Sequence, residues 1–169
     1  MLLTAFTDAS FCHRTMAAGW GGWAKRDGWD RAVTHGGAFR PGSMRTSSDA
    51  ELFASSMFLC RLADDGLLEG IDAVMLQSDC MRVVQACLRN VDGARLSGHA
   101  DSADVAGGGK SLSPAEAEAV SRITRFLDGR RLLLRHVRGH RTGGGRQKVN
   151  AIVDMIARRH METVRGQAR

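Results

Sequence analysis

Apolar residues recur along this chain in two rhythms: short runs that fit strands, and longer stretches with helical spacing. Leu2 to Thr7 is a short apolar run and predicts a strand. Ala17 to Lys25 predicts a second, Gly-rich but carrying Trp20 and Trp23, and Trp29 to Phe39 a third of mixed polarity. Short connections make these three an antiparallel meander. Arg40-Pro41-Gly42-Ser43 reads as a turn. Ser48-Asp49-Ala50-Glu51 then opens a helical pattern through Leu52, Phe53, Met57, Phe58, Cys60 and Leu62 that stops near Asp65-Gly66. Ala73 to Gln77 predicts a short buried strand, and Ser78-Asp79 caps a helix running to about Arg89.

The pattern lapses between Asn90 and Ser113, where Gly93, Gly98, Gly107, Gly108 and Gly109 predict a long loop. It resumes at Ser113-Pro114-Ala115-Glu116, a helix start with Pro in the first turn and Glu at the third position, and that helix reaches about Leu127. Leu132 to Val137 predicts a fifth strand, Gly139 to Lys148 a basic loop, and Val149 to Met161 a last helix. Three antiparallel strands followed by strands alternating with helices predict an α/β fold: a mixed five-stranded sheet flanked by helices, in one domain over 1–169.

Composition supports a folded domain, with 43% hydrophobic and 25% charged residues. The chain contains no Tyr, so the core must rest chiefly on aliphatic residues. Charge changes the picture more. The net value is +6, yet from Arg130 to Arg169 eleven Arg or Lys face only Asp154 and Glu162, leaving the rest of the chain net acidic. A basic last quarter suits a polyanion such as nucleic acid, or serves as a solvated surface. No apolar run approaches the ~18 residues of a membrane span. Met1 to Phe6 is too short for a cleavable leader. Cys12, Cys60, Cys80 and Cys87 show no C-x-x-C spacing, so a reducing, cytoplasmic setting with free thiols is expected, for a monomer.

Four acids stand at informative places, each with a structural reading beside the chemical one. Asp8 follows an otherwise apolar strand, where it needs a partner or a metal or else belongs to a turn. Glu51 completes a Ser48-x-x-Glu51 capping box, or is aimed outward from the rigid first turn of a helix. Asp79 lies where a strand becomes a helix, as an N-cap or at a ligand-gathering strand end. Asp154 sits within the last helix, as a partner of Arg158 four residues on or as a fourth ligand. If the first and fourth strands are neighbours, all four acids converge on one sheet edge. Clustered carboxylates repel unless hard divalent cations with oxygen ligands, such as Mg²⁺ or Mn²⁺, lie between them. His136 and His140 are four apart on a strand and its loop, too far for one zinc ion. Gly107-Gly108-Gly109-Lys110-Ser111 is not a phosphate loop, because Asp104 occupies the place of the first glycine.

These residues carry a resemblance to the ribonuclease H type 1 family. Thr7-Asp8-Ala9-Ser10, Asp49-Ala50-Glu51-Leu52, Gln77-Ser78-Asp79, Val137-Arg138-Gly139-His140 and Asn150-x-x-x-Asp154 match its motifs in order over nearly the whole chain. The resemblance implies a ribonuclease H-like fold and hydrolysis of the RNA strand of RNA/DNA hybrids to 5′-phosphate and 3′-hydroxyl products. It implies two Mg²⁺ ions, with Mn²⁺ as a substitute, held by Asp8, Glu51, Asp79 and Asp154, with Asp8 bridging them. Ions ~4 Å apart would clamp the attacking and leaving oxygens. It assigns His140 to proton transfer or product release, and the hybrid contacts to Ser10, Ser47, Ser48, Asn150, Arg138 and Arg141.

The chain departs from the family at several points. Gly143-Gly144-Gly145 lengthens the loop after His140. Ser47-Ser48 and Cys80-Met81 replace polar amides that grip the hybrid. Residues 90–113 fall where the family has a basic, Trp-bearing handle, yet hold Asp92, Asp101 and Asp104 and no Trp. Two other functions stay open on the same residues: a nuclease or junction resolvase cutting DNA, and a nucleic-acid-binding module without catalysis.

Overall fold

The computed structural model describes residues 1–97, 111–137 and 145–167. Arg138, His140, Arg141 and most of the expected 90–113 loop lie outside the described residues. Six strands form one sheet: β1 (Leu2–Cys12), β2 (Ala17–Arg26), β3 (Val33–Ala38), β4 (Ala73–Ser78), β5 (Arg95–Leu96) and β6 (Arg131–His136). Four helices accompany them among the described residues: α1 (Ser47–Asp64), α2 (Met81–Asn90), α3 (Pro114–Leu127) and α4 (Gly145–Gln167). The strand order is β3-β2-β1-β4-β6-β5. β1 and β2 pair antiparallel, as do β2 and β3, whereas β1 with β4, β4 with β6 and β5 with β6 are parallel.

The sheet thus has six strands where five were expected. The extra one, β5, adds two residues to the edge of β6 inside the segment read as a loop. Its hold is local: Ser97 N–H donates to the Leu134 carbonyl at 2.8 Å, and Arg135 donates to the Ser97 carbonyl at 3.1 Å and to its hydroxyl at 2.9 Å. Two residues are too few to leave a periodic trace in sequence. β1 is also longer than its apolar run, because Asp8 to Cys12 continue to pair with β2.

Strand alternation sorts the core onto two faces. Leu3 and Ala5 join Trp20, Leu52, Phe58 and Leu59 in the larger core, on the α1 side. Phe6 turns the other way, to Val137 and Val153 with Trp23 against them, on the α4 side. Two glycines of β2 bring α4 unusually close. A Cβ at Gly21 would stand 2.3 Å from the Val153 carbonyl oxygen, and one at Gly19 would stand 2.4 Å from the Met161 nitrogen. Helix and strand backbones therefore touch here without side chains between them, which only glycine permits. Among the described residues no helix is long and apolar enough to cross a membrane.

Candidate metal centre

The pairing of β1 with β4 ends at Phe6 and Gln77, while β1 runs on beside β2 to Cys12. A notch opens where β1 and β4 part. Asp8 lies on β1 just past that point, opposite Gly21 of β2, and is 6% exposed. Asp79 follows β4 directly. Two contacts hold it: Asn150 Nδ2 donates to its Oδ2 at 3.1 Å, and His136 Nε2 lies 2.9 Å from its backbone carbonyl.

Glu51 arrives from α1. The helix starts earlier than Ser48, with Thr46 as N-cap: the Thr46 hydroxyl accepts from Asp49 N–H at 3.0 Å, and Asp49 Oδ2 accepts from Thr46 N–H at 3.0 Å. This capping box displaces the one expected between Ser48 and Glu51, and leaves Glu51 free of that duty. One turn further on, the Ser55 hydroxyl meets the Thr7 hydroxyl of β1 at 2.9 Å. Residues four apart share a helix face, so Glu51 is turned to the same strand, toward Asp8. Asp79 does not cap α2 either. Cys80 is the N-cap without a side-chain bond, and the Ser78 hydroxyl accepts from Cys80 N–H at 3.1 Å.

Asp8, Glu51 and Asp79 each offer an oxygen within 4.8 Å of the others, the one such metal-suited group among the described residues. Their electrostatics match that crowding. Burial, then the charges of Asp79 and Asp154, push the Asp8 carboxyl up to about 7. Burial, then Asp8 and Asp79, push Glu51 up to about 10. Glu51 Oε2 is buried without a hydrogen-bond partner, which costs free energy unless something else satisfies it. Three hard oxygen donors, one of them orphaned, fit a divalent cation of the Mg²⁺ or Mn²⁺ type.

Asp154 stands apart from this group. Its Oδ1 accepts from Arg158 Nε at 2.8 Å, the i, i+4 pair that its position on the helix predicts, and its side chain is 38% exposed. It is still near enough for its charge to raise Asp8. Gly21 explains the proximity, since Asp154 follows the very residue, Val153, whose carbonyl meets that glycine. Ser10 lies two residues beyond Asp8 on the same face of β1. Ser47 is exposed at the start of α1, and Ser48 lines a cleft of about 1480 Å³ between the first turns of α1 and α3. Asn150 spends its amide donor on Asp79, and its Oδ1 is buried without a partner. His136 had no functional reading in sequence beyond a rejected zinc pair. Its anchoring of Asp79 depends on the β4–β6 register, which pairs it with Ser78.

No protein-family model matches the chain, and no curated protein does. Solved structures do match. RNase H1 from the halophilic archaeon Halobacterium salinarum is 17% identical, with a TM-score of 0.65 over 96% of this chain and 99% of that one. The N-terminal RNase H domain of a Mycobacterium tuberculosis protein is 14% identical, with a TM-score of 0.66 over 99% of each chain. LC11-RNase H1, solved in complex with an RNA/DNA hybrid, is 14% identical, with a TM-score of 0.66 over 96% and 98%. The chain has the ribonuclease H-like fold.

Proposed function

We propose that this protein is a metal-dependent ribonuclease H, an endonuclease that hydrolyses the RNA strand of RNA/DNA hybrids. The observation that carries this reading is the meeting of Asp8, Glu51 and Asp79 within 4.8 Å, in the notch of a ribonuclease H-like sheet. The hybrid bound by LC11-RNase H1 supports the choice of substrate. Divalent cations bound there supply neutralisation of the phosphate charge and a more acidic bound water.

The chain's own residues do the rest. Asp8, Glu51 and Asp79 would hold the cation, and the raised Asp8 and Glu51 carboxyls would give up their protons to do so. Asn150 orients the Asp79 carboxylate and His136 anchors its backbone carbonyl, which fixes one ligand before substrate arrives. Asp154, now paired with Arg158, would complete the set of ligands. Ser10, Ser47 and Ser48 lie on the elements that flank the acids and contact the hybrid. His140 moves a proton at the reacting phosphate, and Arg138 and Arg141 contact the backbone. These last three lie outside the described residues, and their parts rest on the sequence motif. The products are a 5′-phosphate and a 3′-hydroxyl.

A strand-labelled hybrid incubated with Mg²⁺ or Mn²⁺ tests the reading, beside single-stranded RNA, duplex RNA, duplex DNA and a four-way junction. Cleavage confined to the RNA strand of the hybrid, and lost in Asp79→Asn, is expected. If the wild type and Asp79→Asn leave the hybrid equally intact, the enzyme reading is wrong. Cutting of duplex DNA or of the junction in preference to the hybrid would replace the substrate.

A further inference from the structure

The strands hold Asp8 and Asp79, but Glu51 rides on a helix and needs a separate fixed point. A continuous polar chain supplies one. Arg82, in the first turn of α2 three residues beyond Asp79, donates to Glu116 twice, Nε to Oε1 at 2.7 Å and Nη2 to Oε2 at 2.6 Å. Glu116 lies in the first turn of α3, where its Oε2 also accepts from Ser113 N–H at 2.8 Å. The Ser113 hydroxyl accepts from Glu116 N–H at 3.1 Å and donates to Asp49 Oδ1 at 3.3 Å. Asp49 lies two residues before Glu51, and its other oxygen closes the α1 cap on Thr46.

Three helix starts are thereby tied together around two acid ligands. The tie is part-buried in the wall of the cleft between α1 and α3: the side chains of Arg82 and Glu116 are 19% and 8% exposed, and Asp49 is 5% exposed. A bidentate guanidinium–carboxylate pair fixes orientation as well as distance, which a point charge does not. The strong pairing holds the Glu116 carboxyl below the usual carboxylate range, chiefly through its bonds to Arg82. Neither Arg82 nor Glu116 belongs to the three-acid group, so their stiffness reaches the metal site only through α1, which carries Glu51, and through the start of α2, which follows Asp79.

We propose that Arg82, Glu116, Ser113 and Asp49 are positioning residues that hold Glu51 and Asp79 at ligand distance. This rests on the metal-centre reading above. The test is Mn²⁺ binding to the full chain, followed by the paramagnetic resonance of free Mn²⁺, with melting temperature measured beside it.

Ser113→Gly removes the hydroxyl link to Asp49 while keeping a residue tolerated at an N-cap. Arg82→Lys keeps the charge and removes the fork. Each is expected to weaken Mn²⁺ binding about tenfold, the low end for groups behind metal ligands. Ser113→Thr, which restores the hydroxyl, is expected to return to within twofold of wild type. Val164→Ala, a core truncation in α4, serves as the control that lowers melting temperature with Mn²⁺ affinity unchanged. If Ser113→Gly and Arg82→Lys behave like that control, the network is structural only and the proposal is overturned. A wild type that binds no Mn²⁺, or binds it equally with Asp79→Asn, overturns the metal centre and this proposal together. Mn²⁺ binding that responds to the variants in a protein that cuts no hybrid overturns the proposed function and supports the strut.

Discussion

Replacing Asp8 by Asn should make the metal-free protein more stable. Asp8 is buried between Asp79 and the charge of Asp154, and its carboxyl is pushed from 3.8 up to about 7, first by burial and then by those charges. Each unit corresponds to about 1.4 kcal/mol, so ionising this group within the fold costs at most about 4 kcal/mol. Relaxation and water entry reduce such penalties, and about 2 kcal/mol is the expected net effect. Asn keeps the shape and one oxygen to accept from Ala9 N–H, a bond of 2.8 Å in the wild type, but carries no charge.

The pH dependence has a definite sign. Below about pH 4 the carboxyl is protonated in both the folded and unfolded chains and costs nothing. As pH rises from about 4 to 7 the unfolded chain ionises first, and the wild type loses stability; above about 7 the whole penalty is present. Urea unfolding in a chelator should therefore show Asp8→Asn ahead by about 2 kcal/mol at pH 8 and by about half that at pH 5. In a chain of this length that corresponds to roughly 4–8 °C in melting temperature at pH 8. Adding Mg²⁺ should raise the wild type and not the variant. A variant no more stable than wild type at pH 8, or a gap of equal size at both pH values, refutes the electrostatic reasoning.

Three further outcomes are expected. Because Glu51 holds a proton that a cation must displace, Mn²⁺ affinity should strengthen as pH rises from 7 to 9, by about tenfold per unit for one proton released. Calorimetry in two buffers of different ionisation enthalpy would detect that proton, and a flat profile would remove it. Gly21→Ala puts a methyl against the Val153 carbonyl, so α4 must lift; a loss of about 1–3 kcal/mol in urea unfolding is expected, with weakened cleavage through Asp154. Full activity in a stable Gly21→Ala protein would show that the helix does not need this approach. Among the four free thiols, Cys12 should react first with a disulfide reagent, because bonds from Thr15 lower its pKa, whereas buried Cys87, pushed up to about 12, should react only on unfolding. Mass mapping of a timed reaction decides the order.

The elements with strong periodicity are legible in the sequence, whereas the adjacency of β1 and β4, on which the site depends, enters there only as a condition and is supplied by the sheet order. The start of α1 was not. Thr46-x-x-Asp49 and Ser48-x-x-Glu51 are overlapping boxes of the same type, and local sequence cannot choose between them. Tertiary packing decides, because the earlier start turns Ser55 to Thr7 and Glu51 to Asp8. β5 left no signal because an edge pair of two residues has no period. The link from Arg82 through Glu116 and Ser113 reaches α1 by the Ser113–Asp49 bond, whose partners lie 64 positions apart, and no spacing rule reports a contact of that separation. Asp154 enters through the motif, with Arg158 four residues on as its structural alternative; in the fold it pairs with Arg158 and stands outside the three-acid group.

The notch between β1 and β4 has one more consequence. Adjacent strands lie about 4.8 Å apart because peptide hydrogen bonds have that reach, whatever side chains they carry. Asp8 and Asp79 each stand two residues beyond the last pair of two such neighbours, Phe6 and Gln77, so the backbone fixes the point from which the gap between them opens. That ruler survives almost any replacement in the surrounding core that keeps the two strands paired. Much of the core can then be exchanged while that starting point stays fixed, set by the mesh of the sheet more than by the residues around it.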